Sequence, residues 1–284
     1  MNMFEEAIKN AIISYFDLIG ISYDASDTSF DKIFEQYMNT LDKWISPQPR
    51  KVLISKELLA KINTFTDEQK QKVNYFKGLF ESGKNINGHL SCLIYNSNKY
   101  DKLLMLWDIR HIHLNTLEAH TNHEMRLNRS DDLLFVRVTN DAVYFIDIEK
   151  HNKPHVFSMF TLLEIVQNNW EFLLTKYSNI IKTDFVITDD ETLKNCFKAN
   201  LNYFIYKIKG CYYSVEAKIQ SLSGTSLDNM LKYDELQKCL NKIYPKPPIY
   251  PKNVQCILHH KKDYFCDIAW MEGSNQKTIS IKSK

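Results

Sequence analysis

Leu133-Leu134-Phe135-Val136-Arg137-Val138, then Thr139-Asn140-Asp141, then Val143-Tyr144-Phe145-Ile146-Asp147-Ile148 is the stretch that decides the fold. Aliphatic, β-branched and aromatic residues dominate both runs, and the polar triplet between them is made of turn-forming side chains. Two such runs joined by so short a connection predict a β-hairpin.

Toward the C-terminus the pattern alternates. Phe160, Leu163, Val166 and Trp170 fall at helical steps and predict a helix over about 157–176. Phe185-Val186-Ile187 reads as a short strand, and a helix is expected near 190–199. A second hairpin is expected over Tyr203 to Ile208 and Tyr212 to Ile219. A helix at 227–243 precedes a third hairpin, Val254 to Leu258 and Tyr264 to Trp270, and a strand at Thr278 to Ile281.

Toward the N-terminus helices dominate. Phe4, Ala7, Ile8, Ala11, Ile12, Tyr15 and Phe16 make residues 3–19 an amphipathic helix, and Phe30 to Leu41 supply the stripe of a second. Thr66-Asp67-Glu68 opens a third, and Gly88 to Trp107 reads as helical with a break near Asn96-Ser97-Asn98. The fold class expected is α+β, an N-terminal helical bundle followed by a mixed region of antiparallel β-hairpins and helices. A helical domain over 1–100 and an α+β domain over 101–284 follow, the latter with a further division near 183.

Bulk composition narrows the class. The 44% hydrophobic and 25% charged residues are those of a folded globular chain. No run reaches the roughly 18 apolar residues of a membrane span, so no membrane partner is expected. The start, Met1-Asn2-Met3-Phe4-Glu5-Glu6, carries acid where a signal peptide carries base. Six cysteines without CxxC spacing read as reduced thiols, and a cytoplasmic location is expected.

The chemistry is concentrated. There are five arginines in the chain, and Arg110, Arg126, Arg129 and Arg137 fall within one short segment that also holds His111, His113, His120 and His123. Arginine's planar fork grips phosphate or carboxylate with two prongs, and histidine suits proton transfer near neutral pH. In Ile109-Arg110-His111-Ile112-His113-Leu114 a strand would put both histidines on one face and Arg110 on the other. A helix would turn the two histidines apart by about 200°. On a strand they would serve as base and acid in RNA cleavage, with Arg126 or Arg129 neutralising the phosphate.

The same residues leave other readings open. His-x-His, the nearby His120, His123 and Glu124, and Asp147 and His151 beyond the hairpin would suit a metal-dependent hydrolase. Glu118, Glu124, Asp131 and Asp132 would instead balance the four arginines in a structural network, as in a non-enzymatic protein- or nucleic-acid-binding module. Lys207 and Lys209 near Tyr206 and Tyr212 suggest a stacking surface for single-stranded nucleic acid, against which ordinary hairpin patterning must be weighed. No GxxxxGK[ST] or GxGxxG motif is present, and no cofactor is expected.

Asp101-Lys102-Leu103-Leu104, Trp107 to Leu114, Leu133-Leu134-Phe135 and Val143 to Ile148 together resemble a pattern of bacterial toxin and phage-defence ribonucleases. The resemblance covers residues 101–151. It implies a metal-independent ribonuclease of the small sheet-plus-helix class that includes RelE-type toxins, with His111, His113, Arg110 and Tyr144 as carried-over site residues. RNA would be the substrate, and a protein partner such as an antitoxin would accompany it. The HEPN ribonucleases carry a histidine four to six residues after an arginine, and no arginine here meets that spacing.

Overall fold

The computed structural model describes residues 2–117, 120–121, 123–124, 129–177, 186–199, 205–215, 226–243, 251–260, 264–272 and 274–282. The chain is α+β, and it divides into two compact units that interleave along the sequence. One unit takes Met1–Trp44, Leu93–Tyr100 and Gln220–Lys284; the other takes Ile45–Cys92 and Asp101–Ile219. A cut does fall between Tyr100 and Asp101, but residues 45–92 belong with 101–219 and residues 220–284 with 1–44, so neither unit is one continuous stretch. A four-residue strand, β1 (Lys51–Ile54), explains the difference. It pairs in parallel with β4 (Ala142–Lys150), setting Val52 beside Val143 and Leu53 beside Tyr144. Long-range pairing of this kind leaves no local signature, and it draws residues 45–92 into the unit of the central hairpin.

That hairpin forms as expected. Strand β3 (Asp132–Val138) pairs antiparallel with β4, and Thr139 N–H closes the turn on the Ala142 carbonyl at 2.9 Å. Phe135 lies opposite Asp147 but Val136 lies opposite Phe145, so the register shifts at Ile146, as in a β-bulge. Strand β2 (Ile109–His113) pairs antiparallel with β3 and completes a sheet ordered β1-β4-β3-β2. Helices α3 (Lys56–Thr64) and α4 (Asp67–Glu81) flank one face, where Phe80 meets Phe145 at 5.8 Å between ring centroids. Helix α6 (Thr161–Trp170) covers the other, where Trp170 meets Tyr144 at 5.0 Å.

Between α4 and β2 the expected helix over Gly88 to Trp107 is mostly absent. Two single 3-10 turns, Asn87–His89 and Cys92–Tyr95, precede the short helix α5 (Lys102–Trp107). Asparagine side chains explain this, because Asn85 and Asn96 accept from the backbone N–H groups of Asn87 and Asn98 and so compete with helical bonds. The helix expected over 157–176 ends early for a different reason. Past Trp170 the chain turns and joins, as β5 (Thr175–Tyr177), a second sheet ordered β5-β8-β7-β6. Its other strands are β6 (Val186–Ile187), β7 (Ile205–Ile208) and β8 (Cys211–Ser214), and α7 (Asp190–Lys198) links β6 toward β7. Phe185, Tyr203, Phe204 and 216–219 of the expected strands lie outside the described residues. Ile187, Tyr206, Ile208 and Tyr213 join one continuous core with Trp107, Ile109, Phe135 and Leu163.

The first unit holds helices α1 (Met3–Ile19), α2 (Phe30–Lys43) and α8 (Leu227–Ile243) with a three-stranded antiparallel sheet. The sheet is ordered β11-β10-β9, from β9 (Lys252–Leu258), β10 (Tyr264–Glu272) and β11 (Asn275–Lys282). Asn2 and Glu5 form a capping box that starts α1, and the helix buries Phe4, Ile8, Ile12 and Phe16 at four-residue steps. Phe4 packs on Trp270 at 4.9 Å and Phe34 on Phe265 at 5.6 Å, so the N-terminal helices share a core with the C-terminal strands. Among the described residues no helix is long and apolar enough to cross a membrane.

Candidate functional site

Asp108 sets the geometry of the site. It ends α5 in the left-handed conformation, with φ 52°, and so turns the chain from helix into the edge strand β2. From there alternation places Ile109, His111 and His113 on the face shared with Leu133 and Phe135, and Arg110 and Ile112 on the other. The strand alternative is the one realised, and the two imidazole centroids lie 5.8 Å apart.

A third histidine arrives from the end of β4. His151 N–H donates to the Asp131 carbonyl at 2.6 Å, which prolongs the β3–β4 pairing by one step. Its ring lies nearly parallel to that of His113, with centroids 6.0 Å apart and planes 21° apart. The turn that follows brings Phe157 to 5.0 Å from His111 and 5.6 Å from His151. Sequence reasoning weighs His151 only as a metal ligand and does not single out Phe157. The usable signal is the position of His151 at the end of the hairpin's second strand, beside the start of the first.

His111 and His113 each keep 7% of their surface exposed. Burial, first of all, pushes the His113 imidazole down to about 4; His111, His151 and Arg129 lower it further, and the Ser130 carbonyl opposes them. Burial also lowers His111, with His151 and Arg129 acting the same way and the Asp101 carboxylate opposing. Both rings are therefore neutral at neutral pH. For His113 the tautomer follows as well. Nδ1 lies 3.0 Å from the Ser130 carbonyl, which can only accept, so Nδ1 carries the proton and Nε2 presents its lone pair. His111 Nδ1 is buried and has no hydrogen-bond partner among the described residues. Arg129 is exposed, with Nη2 3.4 Å from Cys92 Sγ, and its charge reaches both buried histidines.

The other expected residues separate from this group. Arg110 and Arg137 share the Asp108 carboxylate, with Nη1 of Arg110 at 3.5 Å and Nε of Arg137 at 3.4 Å. Arg137 also donates from Nη1 to the Leu173 carbonyl at 2.6 Å. This is the arginine–carboxylate arrangement that the sequence left open, though the carboxylate is Asp108. Tyr144 is buried against Trp170 and sits beside Arg137 in register, not beside the histidines. Arg126 and Glu118 lie outside the described residues. The His120 backbone N–H donates to Glu124, and Asp147 turns to Lys61 of α3 at 2.8 Å. Among the described residues no group of three or more His, Cys, Asp or Glu side chains is spaced to hold a metal ion.

No family model, no curated protein and no solved structure matches the chain. The chemistry of the site thus carries the functional reading.

Proposed function

We propose that the chain is a metal-independent ribonuclease of the toxin or phage-defence kind that residues 101–151 resemble. The observation that supports this most is the fixed tautomer of His113, whose Nε2 lone pair lies in a cluster with His111, His151 and the Arg129 charge. In this reading His113 takes the proton of an RNA 2′-hydroxyl as that oxygen bonds to phosphorus. The bond from phosphorus to the 5′-oxygen breaks, and His151 donates a proton to the leaving oxygen. A 2′,3′-cyclic phosphate and a free 5′-hydroxyl result. Arg129 supplies the guanidinium that neutralises the charge building on the phosphate oxygens.

The burial of His111 and His113 favours a second reading, in which the histidines are structural and the chain is a binding module without catalysis. Cleavage of total RNA by wild-type and His113→Ala protein, each with and without EDTA, separates the readings. Cleavage that survives EDTA and disappears in the variant is the expected result. No cleavage by the wild type under either condition selects the binding module, and cleavage abolished by EDTA selects the metal-dependent hydrolase.

A further inference from the structure

The second sheet of the same unit carries a transverse row of side chains that the proposed reaction does not use. Register sets Tyr177 of β5 opposite Tyr212 of β8, and Tyr212 opposite Lys207 of β7. The three side chains share one face and span about 10 Å, at roughly 4.8 Å for each step between strands. The Lys207 ammonium lies 5.7 Å from the centroid of the Tyr212 ring. Tyr177 is held by a 3.0 Å hydrogen bond between its hydroxyl and Ser214 Oγ. Both rings keep part of their surface in solvent, and Lys207 is exposed.

The neighbouring row faces inward. Tyr206 and Tyr213 are buried, the Tyr206 hydroxyl accepts from Trp107 Nε1 at 2.8 Å, and the Tyr213 hydroxyl donates to Glu171 at 2.6 Å. The surface anticipated from Tyr206 and Tyr212 is thus composed differently. Tyr206 belongs to the core, and Tyr177 stands in its place beside Tyr212.

We propose that Tyr177, Tyr212 and Lys207 form a stacking platform for two adjacent bases of single-stranded RNA, with Lys207 set against the backbone phosphate. Every nucleobase has a face that can stack, so such a platform holds a strand without reading its sequence. Two rings with one cation beside them supply stacking faces for two bases and a positive charge for the phosphate, which complements the strand. That the strand is RNA rests on the ribonuclease reading; the stacking itself does not depend on it.

A strand without 2′-hydroxyls tests the platform apart from cleavage. Binding of a fluorescein-labelled oligodeoxyuridylate to the full chain is followed by fluorescence anisotropy, for wild type, Tyr212→Ala, Tyr212→Phe and Lys207→Ala. The wild type is expected to bind. Tyr212→Ala is expected to weaken binding about tenfold or more, and Tyr212→Phe to retain it. Lys207→Ala is expected to lower the slope of log K against log salt by about 0.7. Lys207 is exposed, so that variant remains informative if Tyr212→Ala fails to fold. No wild-type binding, or wild-type affinity and salt slope in both Tyr212→Ala and Lys207→Ala, overturns the platform. Cleavage of RNA by the same wild-type protein would still stand or fall separately.

Discussion

His113 and His151 stack nearly parallel, their ring centroids 6.0 Å apart, although one lies on the edge strand β2 and the other where the chain leaves β4. Strand β3 runs between β2 and β4 in the sheet, so the contact depends on the ends of three strands lining up. The Asp131 carbonyl fixes one side of it through the backbone of His151, and the Ser130 carbonyl fixes the other through Nδ1 of His113. Adjacent carbonyls thus anchor the ring of His113 and the backbone of His151.

The depressed proton affinity of His113 makes stability depend on pH in a definite direction. Its value is about 4 in the folded chain against the ordinary 6.5 that the unfolded chain recovers, so between these pH values the unfolded chain binds more protons. Stability from this residue is fully present above pH 6.5 and is lost as pH falls toward 4, by on the order of 3 kcal/mol. Urea unfolding of wild type and His113→Gln at pH 7.5, 5.5 and 4.5 checks this. The variant is expected to lose less stability than the wild type across that range; equal losses would show that His113 is not the group responsible.

Arg129 and Arg137 should respond oppositely to substitution. Arg129→Ala is expected to slow RNA cleavage about a hundredfold while leaving the melting temperature near that of the wild type. Arg137→Lys replaces the fork that reaches both Asp108 and the Leu173 carbonyl, and should cost about 1–2 kcal/mol with cleavage retained. Paired thermal melts and single-turnover assays resolve the two. A cleavage defect in Arg137→Lys without a loss of stability would move Arg137 into the catalytic group.

Lys61 holds two carboxylates, Asp147 at 2.8 Å and Glu149 at 2.7 Å. Asp147 is buried, and burial raises its carboxyl above the usual range despite the lysine. Lys61→Met should therefore cost about 2 kcal/mol, less than a fully buried pair because the lysine is 38% exposed. Asp147→Asn in the same chain should restore part of that loss. Denaturant unfolding of the four chains of this cycle measures the coupling, and strict additivity would argue that the pair contributes nothing.

Gly83 has φ 69°, and a Cβ there would lie 2.5 Å from the Pro49 nitrogen and 2.6 Å from the Gln48 carbonyl carbon. The clash is with backbone, which cannot swing aside as a side chain can. Gly83→Ala is expected to lower stability by about 2 kcal/mol or more, several degrees of Tm. An unchanged Tm would mean that the 48–49 segment shifts freely.

Periodicity made the central hairpin, the amphipathic α1 and α2 and the α8 helix legible, because each is specified by neighbours a few residues away. It did not reveal β1, whose four residues are a strand only because β4 lies beside them. The helix expected over Gly88 to Trp107 failed where short polar side chains took the backbone donors. Within the site, alternation along β2 placed His111 and His113 together and turned Arg110 away. Clustering of arginines in sequence was a poorer guide, since Arg110 and Arg137 meet over Asp108 while Arg129 lies near the imidazoles.

By itself, then, the sequence determined the α+β class, the hairpin and the strand alternation that pairs the histidines, all consequences of local periodicity and turn chemistry. Tertiary structure alone decided that Lys51–Ile54 joins the central sheet and residues 45–92 its unit, that His151 completes the cluster, and that Tyr177 and not Tyr206 stands beside Tyr212. These depend on which distant strands pair and in what register. Backbone hydrogen bonds between strands are the same for every residue, so neither partner nor register is written in any one segment.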